Sequence, residues 1–224
     1  MKKVTKKYKF AVLATDIIIF TIESNKLKVL LIKMKKEPFN NCRAAPGGLI
    51  KPSEDIKSAA KRILQDKTNI RNVCLEQLYT FGKVKRDPFG RVVSVAHMAL
   101  IPSANAGIKT TKEYEEIGWF SVDDLPRLAY DHKEIIELAL ERLRAKLEYT
   151  NIVYGLLPIE FSLSQLQNTY EIILGRKLDK RNFRKKILSL QLVKMTNKTT
   201  IGETHRPAIL YKFIKRSPQN IQIL

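Results

Sequence analysis

Cysteine and histidine are scarce in this 224-residue chain, and their scarcity excludes several kinds of site. Two cysteines, Cys42 and Cys74, are too few for a disulfide framework, and no Cys/His cluster has zinc-ligand spacing. No apolar run is long enough to span a membrane. The N-terminus superficially resembles a signal peptide, but Asp16 interrupts its apolar run and no small-residue cleavage site follows. We therefore expect a cytoplasmic protein with free thiols, no metal and no cofactor.

Acidic residues are also few, because the chain has 22 Asp and Glu against 41 Lys and Arg, a formal net charge of +19. Residues 151–224 contain 13 of the basic residues and four of the acidic ones, so this part is the more basic per residue. Such an excess indicates a polyanionic partner, either nucleic acid or anionic lipid. Nucleic acid is favoured over a membrane, because no segment combines a basic face with exposed Trp or Phe.

The pattern of apolar residues predicts a two-part chain of the α+β class. Five runs have the composition of β-strands, at residues 9–22, 27–33, 75–81, 92–101 and 117–120. Helical periodicity occurs at residues 55–66 and again after Asp131, which can cap a helix. This second helix ends near residues 148–160, where Pro158 precedes a new pattern. We predict a domain boundary there.

Residues 161–214 are predicted to form a helix, a turn, a second helix and a two-stranded hairpin. Ser162 and Gln165 have the spacing of a capping box, and Gly175 ends the first helix. Asp179 can cap the second helix, and strand-like runs follow it at residues 190–195 and 208–214. This succession is typical of a winged helix-turn-helix, which binds DNA.

The second of these helices carries basic residues opposite its apolar stripe. At about 100° per residue, Arg181 and Lys185 lie opposite Phe183 and Ile187. Arginine and asparagine suit guanine and adenine, whereas lysine suits phosphate. A solvated basic face is the alternative interpretation. The predicted DNA contacts are Lys180, Arg181, Asn182, Arg184, Lys185 and Lys186 on the helix, with His205 and Arg206 on the wing.

Residues 47–70 have the layout of a phosphate-hydrolysing metal site that has lost most of its acids. Their spacing resembles the Nudix box, in which a glycine is followed by a glutamate, an Arg-Glu pair and a Glu-Glu pair on a helix. Three residues match this spacing, Gly48, Glu54 and Arg62. The three carboxylate positions on the helix hold Ile63, Asp66 and Lys67 instead. These positions share one helix face, so its charge is close to zero and magnesium would bind weakly.

Two interpretations of this degenerate box remain. It is either a copy kept for its fold, or a pocket that holds a phosphorylated nucleotide without cleaving it. The second is favoured, because Arg and Lys suit phosphate even without metal, and Lys67 could replace the charge of the metal. The candidate effector-binding residues are Arg43, Gly48, Glu54, Lys67, Arg86 and Arg91. A weak hydrolase is the alternative, and would need Glu54 and Asp66 together with Glu113, Glu115 or Glu116.

The whole chain resembles the Nudix-related transcriptional regulators of the NrtR family. Besides the degenerate box, the resemblance depends on residues 86–96, 125–136, 161–171, 178–188 and 205–213. It implies a Nudix fold, a mixed sheet sandwiched by helices, over residues 1–150. A winged helix-turn-helix domain is implied over residues 155–224. The resemblance also implies a homodimer that binds double-stranded DNA at a pseudo-palindromic operator.

The resemblance further implies repression of genes for NAD biosynthesis or salvage, relieved by ADP-ribose or a related nucleotide. A related branch responds to arabinose and also has an eroded box, so a sugar-responsive regulator is an alternative. The departures at Ile63, Lys67 and Asn69 argue against residual hydrolysis. An RNA-binding accessory protein is disfavoured, because the basic helix lacks interleaved aromatic residues for base stacking.

Overall fold

The computed structural model describes residues 10–35, 37–102, 108, 114, 116–200 and 207–223. The first domain contains β1 (Val12–Glu23), β2 (Lys26–Lys33), β3 (Arg43–Ala44), β4 (Gly47–Leu49), α1 (Ile56–Thr68), β5 (Leu75–Phe81), β6 (Val92–Leu100), β7 (Ile117–Ser121) and α2 (His132–Tyr149). The second contains a 3₁₀ turn (Ile152–Gly155), β8 (Phe161–Ser162), α3 (Leu163–Leu174), α4 (Lys180–Ser189), β9 (Val193–Thr199) and β10 (Ile209–Phe213). Within these ranges, no helix is long and apolar enough to cross a membrane.

The first domain is built on a mixed seven-stranded sheet. Its main path has the order β3-β2-β1-β6-β5, while β4 pairs with β1 and β7 pairs with β2. The central strand β1 runs parallel to β6, with Val12 opposite Val92 and Phe20 opposite Leu100. It runs antiparallel to β2 and β4. This arrangement brings the starts of β1 and β6 to the same edge of the sheet as the glycines of β4.

Both faces of the central sheet are buried. Successive side chains of a strand point to opposite faces, so Ile17 and Ile19 pack in a core with Ile63 of α1. Ile18 and Phe20 pack on the other face, in a core that contains Ile135, Ile136 and Ala139 of α2. The structure therefore confirms the predicted sheet between helices.

The helix of the degenerate box begins and ends at two polar residues. Asp55 accepts a hydrogen bond of 2.8 Å from the Ser58 amide and so caps the N-terminus of α1. Asn69 follows the C-terminus with φ 60°, in the left-handed region that favours glycine. Asparagine is the residue that best replaces glycine there, which explains how the chain can depart from the Nudix box at this position without breaking the fold.

The second domain has the predicted winged helix-turn-helix elements. The capping box forms, because the Gln165 amide donates to the Ser162 hydroxyl at 3.1 Å and the Ser162 amide donates to the Gln165 side chain at 2.8 Å. Gly175 ends α3 at φ 68°, and Asp179 caps α4 by accepting from the Asn182 amide at 2.7 Å. The sequence did not indicate the short strand β8, which pairs with β10. The wing strand β9 also begins later than predicted, because Gln191 has φ 53° and extends the turn after α4.

The two domains share one apolar core. Leu143 and Leu147 in the second half of α2 are fully buried and lie in the same cluster as Leu166 of α3. The 3₁₀ turn also approaches β6 closely, because a Cβ atom on Gly155 would lie 2.8 Å from the Cβ of Leu100. The C-terminal segment returns to the end of α2, where the Ile223 amide donates to the Glu148 carbonyl at 2.7 Å.

Candidate effector pocket and DNA-binding surface

A pocket of about 430 Å³ lies where β1, β4 and the segment 86–92 meet. Gly47 and Gly48 of β4 form part of its wall. A Cβ atom on Gly47 would lie 2.1 Å from Oδ1 of Asp16, so this position requires glycine. A Cβ atom on Gly48 would lie 3.3 Å from Cδ1 of Ile63, so the overlap there would be much smaller. The two glycines therefore differ in how strictly the pocket needs them.

A buried network of charged side chains lies against this pocket. Arg86 donates from Nε and Nη2 to the two oxygens of Asp131 at 2.8 and 2.7 Å. The same Nη2 donates to Oδ2 of Asp16 at 3.1 Å. Asp16 also accepts from the Ser94 hydroxyl at 2.6 Å, and Nε2 of His132 lies 3.5 Å from its Oδ1. These hydrogen bonds and ion pairs join β1, β6, the 86–91 segment and the start of α2.

The tautomer of His132 follows from its hydrogen bonds. Its Nδ1 accepts from the Ala45 amide at 2.9 Å, so in the neutral ring the proton is on Nε2, on the side of Asp16. Asp16 is therefore surrounded by donors. Burial raises the pKa of Asp16, but the hydrogen bonds from His132 and Ser94 and the charge of Arg86 together lower it to about 2.

Arg86 is thus a charge-compensated part of the pocket. Burial lowers its pKa, but the hydrogen bond to Asp131 and the charge of Asp16 outweigh this effect and raise it, so the guanidinium stays protonated. The prediction that Asp131 caps α2 needs correction. Asp131 does precede the helix, yet its side chain makes no capping hydrogen bond, because both carboxylate oxygens are bound by Arg86.

Of the other predicted effector residues, Gly48, Lys67 and Arg91 line the pocket. Nζ of Lys67 donates to the hydroxyl of Tyr114 and lies 4.5 Å from the centroid of its ring. Arg91 donates from Nη1 to the Gly82 carbonyl at 2.7 Å, which holds the side chain along the loop. The structure therefore brings three of the predicted residues and Arg86 to one cavity.

Arg43 and Glu54 do not line the pocket. Arg43 forms an ion pair with Glu116 and lies over the ring of Phe120 at 4.7 Å. Glu54 accepts from Nε of Arg62 at 2.9 Å and from the Lys51 amide at 2.8 Å. The hydrogen bond from Arg62 is the main reason that the pKa of Glu54 is lowered to about 2. Two of the three matching residues of the box, Glu54 and Arg62, therefore brace the turn against α1.

The remaining box positions do not form a magnesium site. The side chain of Ile63 is 1% exposed and belongs to the core. Asp66 is exposed and lies 3.8 Å from Nη1 of Arg62. Among the described residues, no group of three His, Cys, Asp or Glu side chains could hold a metal ion. Of the later acids considered for a hydrolase, Glu113 and Glu115 lie outside the described residues, and Glu116 pairs with Arg43.

The sequence did not reveal the aromatic side chains of the pocket. Tyr114, Tyr130 and Phe89 all line it, and Phe89 is 71% exposed at its mouth. Tyr130 has φ 53°, an uncommon value for a tyrosine, and its ring packs against Phe39 with a centroid distance of 4.2 Å. These residues come from separate loops, so no local pattern links them.

Helix α4 has the predicted division into a buried and an exposed face. Phe183 and Ile187 are buried, and five of the predicted DNA contacts are exposed, Lys180, Arg181, Asn182, Lys185 and Lys186. Arg184 differs, because it is half-buried and donates from Nη2 to the Ser164 hydroxyl of α3 at 3.0 Å. Arg184 therefore holds α4 against α3. The wing residues His205 and Arg206 lie outside the described residues.

Comparisons with known proteins agree with this architecture. Residues 12–139 match the NUDIX domain, and residues 153–213 match the NrtR DNA-binding winged helix domain. The "ADPR responsive transcriptional repressor NtrR" of Acinetobacter baylyi is 35% identical over 210 residues, which are 92% of this chain and 83% of the relative. The chain belongs to the NrtR family. As a family member, it is a transcriptional regulator with a Nudix domain and a DNA-binding winged helix.

NrtR of Shewanella oneidensis gives the structural comparison. Its crystal structure with a 27mer DNA has a TM-score of 0.79 and 32% identity, covering 90% of this chain and 93% of that chain. Its Nudix domain complexed with ADP ribose has a TM-score of 0.56 and 34% identity, covering 62% of this chain and 92% of that chain. These NrtR relatives give no support to the arabinose-responsive alternative.

The first domain is also similar to an enzyme. The "ADP-ribose pyrophosphatase" of Methanocaldococcus jannaschii is 32% identical over 110 residues, 49% of this chain and 64% of that protein. The sensor domain is thus related to a hydrolase.

Replacing Gly47 by alanine is expected to destabilise the protein by about 1–3 kcal/mol, because the added methyl group would overlap the Asp16 carboxylate and separate it from Arg86. Gly48→Ala is the matched control, since its methyl group would lie 3.3 Å from Cδ1 of Ile63, a much smaller overlap. Urea unfolding of the two variants and the natural protein measures the difference. Equal losses in both variants would show that the Asp16 contact does not constrain position 47.

Proposed function

We propose that this member of the NrtR family represses genes for NAD biosynthesis or salvage in the cytoplasm, and that ADP-ribose or a close relative relieves the repression. The observation that carries the proposal is a lysine, Lys67, that stands in the pocket at a carboxylate position of the Nudix box. An ammonium group there favours a bound diphosphate over a bound metal. The ADP-ribose complex of the Shewanella Nudix domain and the name of the Acinetobacter repressor support this choice of ligand.

The charges of the pocket fit a nucleotide diphosphate. Along the lining, four basic side chains, Lys35, Lys67, Arg86 and Arg91, outnumber the two acids, Asp16 and Asp87. A positive lining attracts the two negative charges of a diphosphate, and ammonium and guanidinium donors make strong hydrogen bonds to its oxygens. The volume of about 430 Å³ is within the range of roughly 300–1,000 Å³ that is common for small-molecule sites.

The aromatic side chains fit the rest of such a ligand. Tyr114, Tyr130 and Phe89 line the pocket, and aromatic rings provide apolar faces on which a base or ribose can pack. Tyr114 also accepts a hydrogen bond from Lys67, so it sets the direction in which the ammonium group points. We infer that Lys67 contacts the diphosphate directly and that Tyr114 positions it.

We propose that the pocket binds its ligand without cleaving it. Hydrolysis in a Nudix frame needs metal-bound carboxylates, and Ile63 is buried in the core while Lys67 carries a positive charge. Two unit charges of the same sign about 4 Å apart repel by roughly 4 kcal/mol at an effective dielectric constant of 20, so a magnesium ion beside Lys67 would be disfavoured. The absence of hydrolysis suits a sensor, because the bound ligand is not consumed.

Helix α4 is the part of the protein that we propose binds DNA. Arg181, Asn182 and Lys185 are exposed and would read base edges in the major groove, while Lys180 and Lys186 would contact phosphates. We further propose that the protein acts as a homodimer, since two copies of α4 related by a twofold axis would read a pseudo-palindromic operator.

Lys67→Ala is expected to weaken ADP-ribose binding about 10- to 100-fold, because it removes one charge-assisted hydrogen bond to the diphosphate. Isothermal titration calorimetry in the presence of a metal chelator measures this loss. Lys61→Ala is the matched control, because Lys61 is an exposed lysine on the same helix and does not line the pocket. Failure of the natural protein to bind ADP-ribose under these conditions would refute the proposed ligand.

Incubation of the protein with ADP-ribose and magnesium is expected to release no AMP above the rate in buffer. The reason is that α1 lacks two of the three carboxylates of the Nudix box. Chromatography of the products over several hours is the measurement, with the Methanocaldococcus pyrophosphatase as a positive control. AMP release that disappears in Glu54→Gln would instead support the hydrolase alternative.

The natural protein is first used to select a duplex that it binds from a random pool. Arg181→Ala is expected to weaken binding to this duplex by about 1–3 kcal/mol and to relax discrimination at one base pair. Lys180→Ala should weaken binding to every duplex and reduce the salt slope by about 0.9. Fluorescence anisotropy at several salt concentrations separates the two effects. Lys133→Ala on α2 removes an equal charge far along the chain and serves as the control. Unchanged affinity in both α4 variants would contradict the assignment of this helix.

A further inference from the structure

Helix α2 extends from the effector pocket to the winged helix. It has 18 residues, which at 1.5 Å per residue span about 27 Å. Its first turn belongs to the pocket, because Asp131 is bound by Arg86 and His132 is 3.5 Å from Asp16. A ligand that enters the pocket therefore meets the residues that fix the start of α2.

The other half of α2 contacts the end of α3. Nε of Arg144 donates to the carbonyl of Ile173 at 2.9 Å. The last four carbonyls of a helix have no partner within it, and Ile173 is the penultimate residue of α3. The guanidinium also lies at the negative end of the α3 dipole. Arg144, a residue of the first domain, thus caps the helix on which α4 is mounted.

Helix α3, the turn after it and α4 are joined by side chains. Gln167 donates to the Leu178 carbonyl at 3.0 Å, and Glu171 accepts from the Leu178 amide at 3.1 Å. Arg184 of α4 donates to Ser164 of α3, as described above. A change in the position of α3 relative to α2 would therefore carry α4 with it.

We propose that Arg144 is the positioning residue through which pocket occupancy reaches the recognition helix α4. It holds α3 in the orientation that binds the operator, and a ligand that shifts the first turn of α2 alters this contact. The inference depends on the proposed function, since it assumes that ADP-ribose occupies the pocket. The ligand must bind the two orientations with different affinity, because otherwise it could not change their populations.

The proposal predicts a loss of coupling rather than a loss of binding. Linkage requires ADP-ribose to change the operator Kd by the same factor as the operator changes the ADP-ribose Kd, commonly about 5- to 150-fold. In Arg144→Met, which keeps a long side chain but removes the donor, we expect this factor to fall below about threefold. The ADP-ribose Kd without DNA should stay within about twofold of its natural value, because Arg144 does not line the pocket.

The experiment measures both Kd values with and without the other ligand, by anisotropy and calorimetry, after thermal unfolding has shown that each variant is folded. Arg144→Lys retains a donor and should restore most of the coupling. Arg142→Met makes the same exchange at a neighbouring arginine of the same helix and should leave the factor unchanged. If Arg144 had a purely structural role, Arg144→Met would lower the stability of the protein without changing the coupling factor between ADP-ribose and the operator. Arg144→Leu, which also lacks a donor, carries the same expectation if Arg144→Met does not fold.

Two negative results have different meanings. If Arg144→Met binds ADP-ribose and releases DNA by the natural factor, the role of Arg144 is overturned while the proposed function stands. If the natural protein does not bind ADP-ribose, or binds it without releasing the operator, the proposed function fails and the role of Arg144 fails with it.

Discussion

The guanidinium of Arg86, shared between Asp16 and Asp131, joins the parts of this protein that form the pocket. Asp16 belongs to the central strand and Asp131 precedes α2, so one buried cation fixes the sheet to the helix. Removing either carboxylate would leave buried N–H donors of Arg86 without their acceptor, which typically costs about 1–3 kcal/mol or more. Gly47 follows from the same constraint, because a larger residue would take the space of the Asp16 carboxylate.

Two residues kept from the Nudix box support the fold, and two of the exchanged residues stand at its carboxylate positions. Glu54 and Arg62 bind each other and brace the turn before α1. Asn69 replaces a glycine at a position where the backbone needs a left-handed conformation, which asparagine tolerates. Ile63 instead adds to the core, and Lys67 places an ammonium group in the pocket. The fold is thus maintained, while a helix face that carries three carboxylates in the Nudix box holds one acid, one lysine and one apolar residue here.

The sequence predicted most helix boundaries and the order of the elements, because caps and apolar periodicity depend on residues only a few positions apart. It predicted the pocket less well, because Arg86 and Asp131 are separated by 45 positions and their pairing leaves no local pattern. Arg86 could therefore be assigned to the effector by its charge, but not recognised as compensated. Helical periodicity likewise placed Arg184 near the DNA face, whereas Ser164 on another helix turns it inward. Tyr130 lines the pocket because of the geometry of its loop, which cannot be read from the composition of the sequence.

The core shared by the two domains has a consequence for modularity. A chimera that joined this sensor to a different DNA-binding domain near residue 150 would cut between Leu147 and Leu166, which are packed in one cluster. The new partner would have to present a matching apolar surface, because otherwise the leucines of the sensor would be exposed. It would also need a carbonyl at the place of Ile173 to accept the hydrogen bond of Arg144. The two domains of this protein therefore constrain each other, so an exchange of the DNA-binding domain would also require changes on the buried surface of α2.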